Sequence, residues 1–186
     1  MIERYSVPMR QDQTLPHIWL ISDERNDRRL ERALMRLPRG SGFIYRHYHL
    51  DEAARWERFQ DLLRISRGCD HWVILADSAL TAREWGADGT YGAPLSQWPR
   101  RRDMIHLATV HDMSELRQAN LSGANAALIS PVFTTRSHPG AEVLGPARFR
   151  LLAKQAQMPV IALGGMTWHR ARALNWKRWA AIDGLR

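Results

Sequence analysis

Ile129-Ser130-Pro131-Val132-Phe133-Thr134-Thr135-Arg136-Ser137-His138-Pro139-Gly140-Ala141, followed by Pro159-Val160-Ile161-Ala162-Leu163-Gly164-Gly165-Met166-Thr167, is the part of the chain that decides its fold. Each segment is a short apolar run that ends in small, hydroxylated or glycine residues. Continuous rather than alternating apolar runs belong to strands buried on both faces, as in a parallel sheet. Glycine and hydroxyl residues at the end of such a strand let backbone N–H groups turn toward an anion, most simply a phosphate at the start of the next helix.

The same unit repeats toward both ends of the chain. His17 to Asp23 reads as a strand, and Asp27 to Leu37 carries Leu30, Ala33, Leu34 and Leu37 at helical spacing. Pro38-Arg39-Gly40 stops that helix before a second strand, Gly42 to Tyr48. A helix from Asp51 to about Arg67 places Trp56, Phe59, Leu62 and Leu63 on one side. Strands follow at His71 to Asp77, Gly89 to Tyr91, Met104 to Val110, Ala126 to Val132, Val160 to Leu163 and Trp179 to Ile182. Between them lie helices from Ser78, a candidate N-cap, to Trp85, through Leu116 and Ala119 to Leu121, from Ala147 to Gln157, and from Thr167 to about Trp176.

Residues 1–15 are polar and proline-punctuated and read as an N-terminal arm ahead of one domain, residues 16–186. Eight strands alternating with helices favour an α/β fold of the (β/α)8 TIM-barrel kind, with an open doubly wound sheet as the competing arrangement. Strand eight leaves only a few residues behind it, so the expectation is a compact barrel lacking most of the last helix. Trp179, Ala181, Ile18 and Leu20 should then be partly exposed, and either the arm or a second copy, in a homodimer, should cover them.

Composition narrows the function. A chain of 186 residues with 45% hydrophobic content can bury a real core. Its formal charge of +8 comes almost wholly from arginine, since Lys154 and Lys177 are the only lysines. Those arginines are spread over every helix rather than gathered in a block, which argues against nucleic acid as a partner and suits anionic small molecules. The single Cys69 excludes an internal disulfide and a cysteine metal cage. No apolar run approaches the ~18 residues of a membrane span, and the N-terminus lacks the apolar core of a signal peptide, so a cytoplasmic protein with no membrane partner is expected.

With Leu144-Gly145 between them, the two opening segments resemble the thiamine-phosphate synthase/TenI family, most strongly over residues 124–184. The resemblance selects the barrel over the open sheet, and in a barrel of this kind side chains at the carboxyl ends of the strands face the ligand. Tyr45-Arg46 matches the start of the family's Tyr-Arg-Glu-Lys, while His47-Tyr48 departs from it. The family's Asn-Asp after strand three becomes Ala76-Asp77, which implies Asp77 as a Mg²⁺ ligand. Its second acidic segment is replaced by Gly92-Ala93-Pro94-Leu95. After strand six, Thr135 and Ser137 keep the family's hydroxyls and His138 stands in the lysine's place. Gly164 and Gly165 match the phosphate-binding Gly-Gly, and Asp183 stands where a serine follows Ile182, where it either pairs with a base such as Arg186 or marks an altered ligand preference.

The resemblance implies an enzyme that joins a hydroxymethylpyrimidine diphosphate to a thiazole phosphate and releases diphosphate. Arg46, Thr109 and His138 would be catalytic. Thr135, Ser137, Gly164, Gly165, Ile182 and Asp183 would bind substrate or phosphate, and Mg²⁺ would be the cofactor. The alternative is a non-catalytic or TenI-like binder of phosphorylated thiazole or related phosphate metabolites. Ser130 replaces the histidine of the family's tautomerases, leaving His111 as a proton carrier or a structural residue. Trp56, Trp72, Trp85, Trp98, Trp168, Trp176 and Trp179 read as helix-to-barrel packing, and His17, Trp19 and His106 carry no chemistry.

Overall fold

The structure, a computed structural model, describes residues 14–97, 101–135 and 142–185. Eight strands are present: β1 (Ile18–Ile21), β2 (Gly42–Tyr45), β3 (Trp72–Leu75), β4 (Gly89–Gly92), β5 (Ile105–Val110), β6 (Ala126–Ile129), β7 (Val160–Ala162) and β8 (Trp179–Ala181). They pair in chain order into a closed parallel barrel, and β8 returns to β1 with Ile18 opposite Trp179 and Leu20 opposite Ala181. The compact (β/α)8 barrel therefore holds, and the open sheet does not.

Helices α1 (Leu30–Arg36), α2 (Glu52–Gly68), α3 (Ala79–Trp85), α4 (Met113–Ser122), α5 (Gly145–Gln155) and α6 (Trp168–Leu174) lie between the strands. Their starts are fixed by side-chain acceptors: Asp51, Ser78, Asp112 and Thr167 each take a backbone N–H of the first turn. The reading of Asp27 to Leu37 as one helix is corrected. A 3-10 helix, Glu24–Arg29, comes first because Asp23 and Asn26 form a capping box, and α1 begins only at Leu30.

Alternate strand residues fill the barrel. Trp19, Ile21, Ile44, Trp72, Ile74, Tyr91, Leu107, Leu128, Ile161 and Ala180 form one buried interior cluster. At one level the register runs Trp19, Gly42, Trp72, so a glycine stands between two indoles. A Cβ on Gly42 would fall inside the Trp19 ring. An eight-stranded interior is filled by side chains alone, and it accepts two indoles in one layer only where the neighbour is small.

The tryptophans divide three ways. Trp85, Trp176 and Trp179 pack between helices and strands as expected. Trp72 is instead inside the barrel and Trp56 is 47% exposed, while Trp168, equally exposed, still packs from α6 onto Trp179. Trp98 lies outside the described residues. Period-two strands buried on both faces give no sequence cue to which face looks inward, so the inward placement of Trp72 is visible only in the fold.

The seam between β8 and β1 is also better covered than the sequence suggests. Leu20, Trp179 and Ala181 are buried, with exposures of 2%, 3% and 3%. Trp168 meets Trp179 edge-on at 5.1 Å, and Leu185 packs against the clusters on both sides of the seam. Asn26 stitches the strand ends together, donating Nδ2 to Ile21 O and to Ile182 O, both at 2.9 Å. The exposed apolar patch that called for a cover is thus largely closed by described residues. Residues 1–13 of the expected arm lie outside them.

Overpacking a filled core costs about 1–3 kcal/mol and sometimes more. Gly42→Ala should destabilise the chain by at least that, measured by urea unfolding. Trp19→Leu in the same chain should recover most of the loss, whereas additive losses would show that the two residues do not share the space.

Candidate active site at the barrel mouth

The inward face of each strand continues into the mouth. Arg46 follows Ile44 on β2, Thr109 follows Leu107 on β5, Ser130 follows Leu128 on β6, and Ile182 follows Ala180 on β8. Thr109 is half-buried there, and Ile182 packs against the interior cluster. Thr135 is half-buried on the loop after β6. Ser137 and His138 lie outside the described residues.

Arg46 is held from two sides. Its Nη2 donates to Asp23 Oδ2 at 2.9 Å, and its backbone N–H donates to Ser22 Oγ at 2.8 Å. The Nε of Arg46 is buried without a hydrogen-bond partner among the described residues. Asp23, at the end of β1, also accepts from Arg25 Nε at 2.8 Å, and Arg25 Nη1 reaches Asp183 Oδ2 at 3.3 Å. Arg186, the expected partner of Asp183, lies outside the described residues. Burial alone would raise the Asp23 carboxyl, but hydrogen bonds and charge from Arg25, with charge from Arg46, hold it below its usual range.

On the other side of Arg46, Arg55 of α2 closes the ends of β2 and β3. Its Nε donates to Arg46 O at 3.0 Å, Nη2 to Ala76 O at 3.0 Å and Nη1 to Asp77 Oδ2 at 2.6 Å. Asp77 Oδ1 accepts the Ser78 N–H at 2.7 Å. Burial opposes ionisation of Asp77, yet the Arg55 hydrogen bond, with help from the Ser78 N–H, keeps its pKa lowered. Tyr48 brings its ring within 5.9 Å of the Arg46 guanidinium and 5.7 Å of that of Arg55.

These contacts bear on Mg²⁺. Mg²⁺ requires hard oxygen ligands at about 2.0–2.1 Å in near-octahedral array. Both oxygens of Asp77 are already engaged, one of them by a cation. Among the described residues no group of three or more His, Cys, Asp or Glu is placed to hold a metal. The described side chains do not fit a divalent cation at Asp77.

Gly164 and Gly165 form the turn after β7 with φ of +95° and +61°, a region that favours glycine. The turn packs against the loop after β6: a Cβ on Gly164 would lie 2.6 Å from Pro131 Cα. Arg170 Nη1 donates to Gly165 O at 2.5 Å from below. The two glycines thus allow a close crossing of two loops, and their substitution would disturb both.

His111, just past β5, pairs with Glu115 at 2.8 Å and is more than half exposed, which ties it to the first turn of α4. His106 is buried between Thr90 Oγ1 and Arg101 O, both at 2.9 Å, in agreement with its structural reading.

A buried relay fixes the backbone of Arg46. Ser22 Oγ lies 2.9 Å from His47 Nδ1, and His47 Nε2 lies 2.8 Å from Asp27 Oδ1. A carboxylate only accepts, so Nε2 carries the proton and Nδ1 accepts from the Ser22 hydroxyl, which in turn accepts from Arg46 N–H. Arg58 binds the far end, at Asp27 and Glu31. Ser22 is fully buried with its oxygen committed, so the arrangement positions Arg46 rather than supplying a nucleophile.

Asp23, Arg25 and Arg55 are the mouth residues that sequence reading missed. Asp23 ends its strand as Asp77 does after β3. Arg55 opens the buried stripe Arg55, Phe59, Leu62, Ser66 on α2, where an arginine at apolar spacing is the available signal.

A family model described as thiamine monophosphate synthase, TMP-TENI, matches residues 18–183. The chain is 27% identical over 154 residues to thiamine-phosphate synthase of Lactococcus lactis subsp. cremoris, covering 79% of this chain and 67% of that protein. It is 30% identical over 122 residues to thiamine-phosphate synthase of Geobacillus thermodenitrificans, covering 62% of this chain but only 55% of the relative. Thiamine phosphate pyrophosphorylase from Pyrococcus furiosus has the same fold, with a TM-score of 0.73 at 22% identity over 89% of this chain and 85% of that one.

The His47 relay makes a pH prediction. Burial lowers the imidazole pKa below 6.5, with the Asp27 hydrogen bond opposing. The unfolded chain then binds the proton more readily, so this contribution is full above 6.5 and is lost as pH falls through the folded value. In His47→Asn, whose side chain tolerates the φ of 38°, stability at pH above 7 should fall by about 1–3 kcal/mol. The decline of the melting temperature just below 6.5 should flatten, and an unchanged slope would assign it to other groups.

Proposed function

Since the chain belongs to the thiamine monophosphate synthase family, matched across residues 18–183, we propose that it joins a hydroxymethylpyrimidine diphosphate to a thiazole phosphate, releasing diphosphate, in thiamine biosynthesis. The observation that carries this reading is Arg46, fixed at the barrel mouth with a buried Nε–H that has no acceptor among the described residues. An unsatisfied buried donor costs about 1–3 kcal/mol, and an anionic ligand relieves that cost.

In the reaction, the bond from the pyrimidine's methylene carbon to the diphosphate oxygen breaks, and the diphosphate leaves with the electron pair. The nucleophilic thiazole then bonds to the carbon. Charge builds on the leaving group, so fixed cations and donors at the mouth accelerate the step. Arg46 offers a planar fork to the diphosphate oxygens. Thr109, Thr135, Ser137 and His138 are assigned further hydrogen bonds to the same group. The backbone around Gly164, Gly165 and Ile182 is assigned to the thiazole phosphate, with Asp183 held off it by Arg25.

Family members generally use Mg²⁺. At Asp77 of this chain the donors do not fit a metal, since both carboxylate oxygens are already engaged. No helix among the described residues is long and apolar enough to cross a membrane.

Removing one donor of this kind lowers kcat by about 10²–10³. Arg46→Ala should do so in an assay of diphosphate release from the two substrates together, with Arg46→Lys intermediate. Thiazole phosphate binding without any product from the wild-type chain would favour the non-catalytic reading instead.

A further inference from the structure

We propose that the Arg55 guanidinium takes the place of a divalent cation beside Asp77, so that this chain binds its diphosphorylated substrate without metal. The inference rests on the functional reading above and concerns how the leaving group's charge is met. It starts from the state of Asp77. Oδ2 receives Arg55 Nη1 at 2.6 Å and Oδ1 receives the Ser78 N–H at 2.7 Å. A metal approaching Oδ2 meets a positive charge already in contact with that oxygen.

Displacing Arg55 is not a local event. The same guanidinium binds Arg46 O and Ala76 O, each at 3.0 Å, and so ties the ends of two barrel strands together. Only 12% of its side chain is exposed. The other carboxylates at the mouth are also held by guanidinium groups: Asp23 by Arg25 and Arg46, and Asp183 by Arg25. Ala93, Pro94 and Leu95, beyond β4, contribute no acid.

Arg55 nevertheless keeps capacity for an anion. A guanidinium has five N–H donors, and the three acceptors named use one each. Tyr48 lies near both guanidinium groups, and that of Arg55 also lies 5.4 Å from the Trp85 ring, so aromatic rings hold both forks in place at the strand ends. Two forks on a rigid strand-end scaffold suit the oxygens of a diphosphate. A metal supplies such charge only when bound, whereas here it is part of the chain.

The test is titration calorimetry of the full chain with inorganic diphosphate, in EDTA and again with Mg²⁺, alongside Arg55→Gln and Arg55→Lys. Melting curves establish that each variant is folded. The wild-type dissociation constant should agree within about threefold between the two conditions. In EDTA, Arg55→Gln should weaken binding by about tenfold or more, and Arg55→Lys, which keeps the charge, by less. Added Mg²⁺ should restore part of the loss in Arg55→Gln, whose Asp77 is released, a response that a purely structural role for Arg55 does not produce. Wild-type binding that requires Mg²⁺ overturns the inference and leaves the functional reading intact, as do folded variants that bind like wild type in EDTA. Absence of binding in both conditions removes the functional reading and the inference with it.

Discussion

The carboxylate of Asp23 sets the geometry of the barrel mouth. It ends β1, accepts from Arg46 across to β2 and from Arg25 of the 3-10 helix, and through Arg25 it is linked to Asp183 after β8. The 3-10 helix that it caps also delivers Asn26 to the ends of β1 and β8. One acidic side chain therefore orients the arginine assigned to the diphosphate and helps close the seam of the barrel. Losing it would leave the partly buried Arg46 guanidinium without its counter-charge and Arg25 with Asp183, a larger penalty than the pair's net worth.

Around this point the mouth is built from matched charges. Asp23, Asp77 and Asp183 each face an arginine, so the free mouth stores its cations as ion pairs. In the proposed function an arriving diphosphate meets guanidinium groups that these carboxylates already hold in order, which limits the entropy lost on binding. The His47 relay serves the same end from below by holding the backbone N–H of Arg46. Its left-handed φ of 38° is a strain that the surrounding hydrogen bonds sustain.

The barrel was legible because eight short runs, six of them followed by a helical pattern, leave few alternatives, and the strands found match those runs, most of them trimmed at their ends. The trimming itself has a cause: residues such as Arg46, Asp77 and Ser130 leave the sheet to form the mouth. The short 3-10 helix was hidden because its residues run into α1 without a break in polarity. Asp23 falls in none of the motifs that carry the resemblance, and an arginine on a helix, such as Arg55, is usually a solvated residue. Pairings across long sequence distances, such as Arg55 with Asp77 or Arg25 with Asp183, have no local signature. Glycine roles were only half visible: Gly164 and Gly165 read as an anion cradle, and their positive φ values agree with a tight turn, but the packing against Pro131 appears only in three dimensions.

If an arginine-built mouth, rather than a metal at Asp77, meets the diphosphate, a crystal structure with diphosphate and Mn²⁺, with anomalous scattering recorded at the manganese edge, should show it. Diphosphate density is expected against the Arg46 and Arg55 guanidinium groups, with no manganese peak at the Asp77 carboxylate. A manganese ion bound to Asp77, with Arg55 turned away from it, would show that a metal does this work instead.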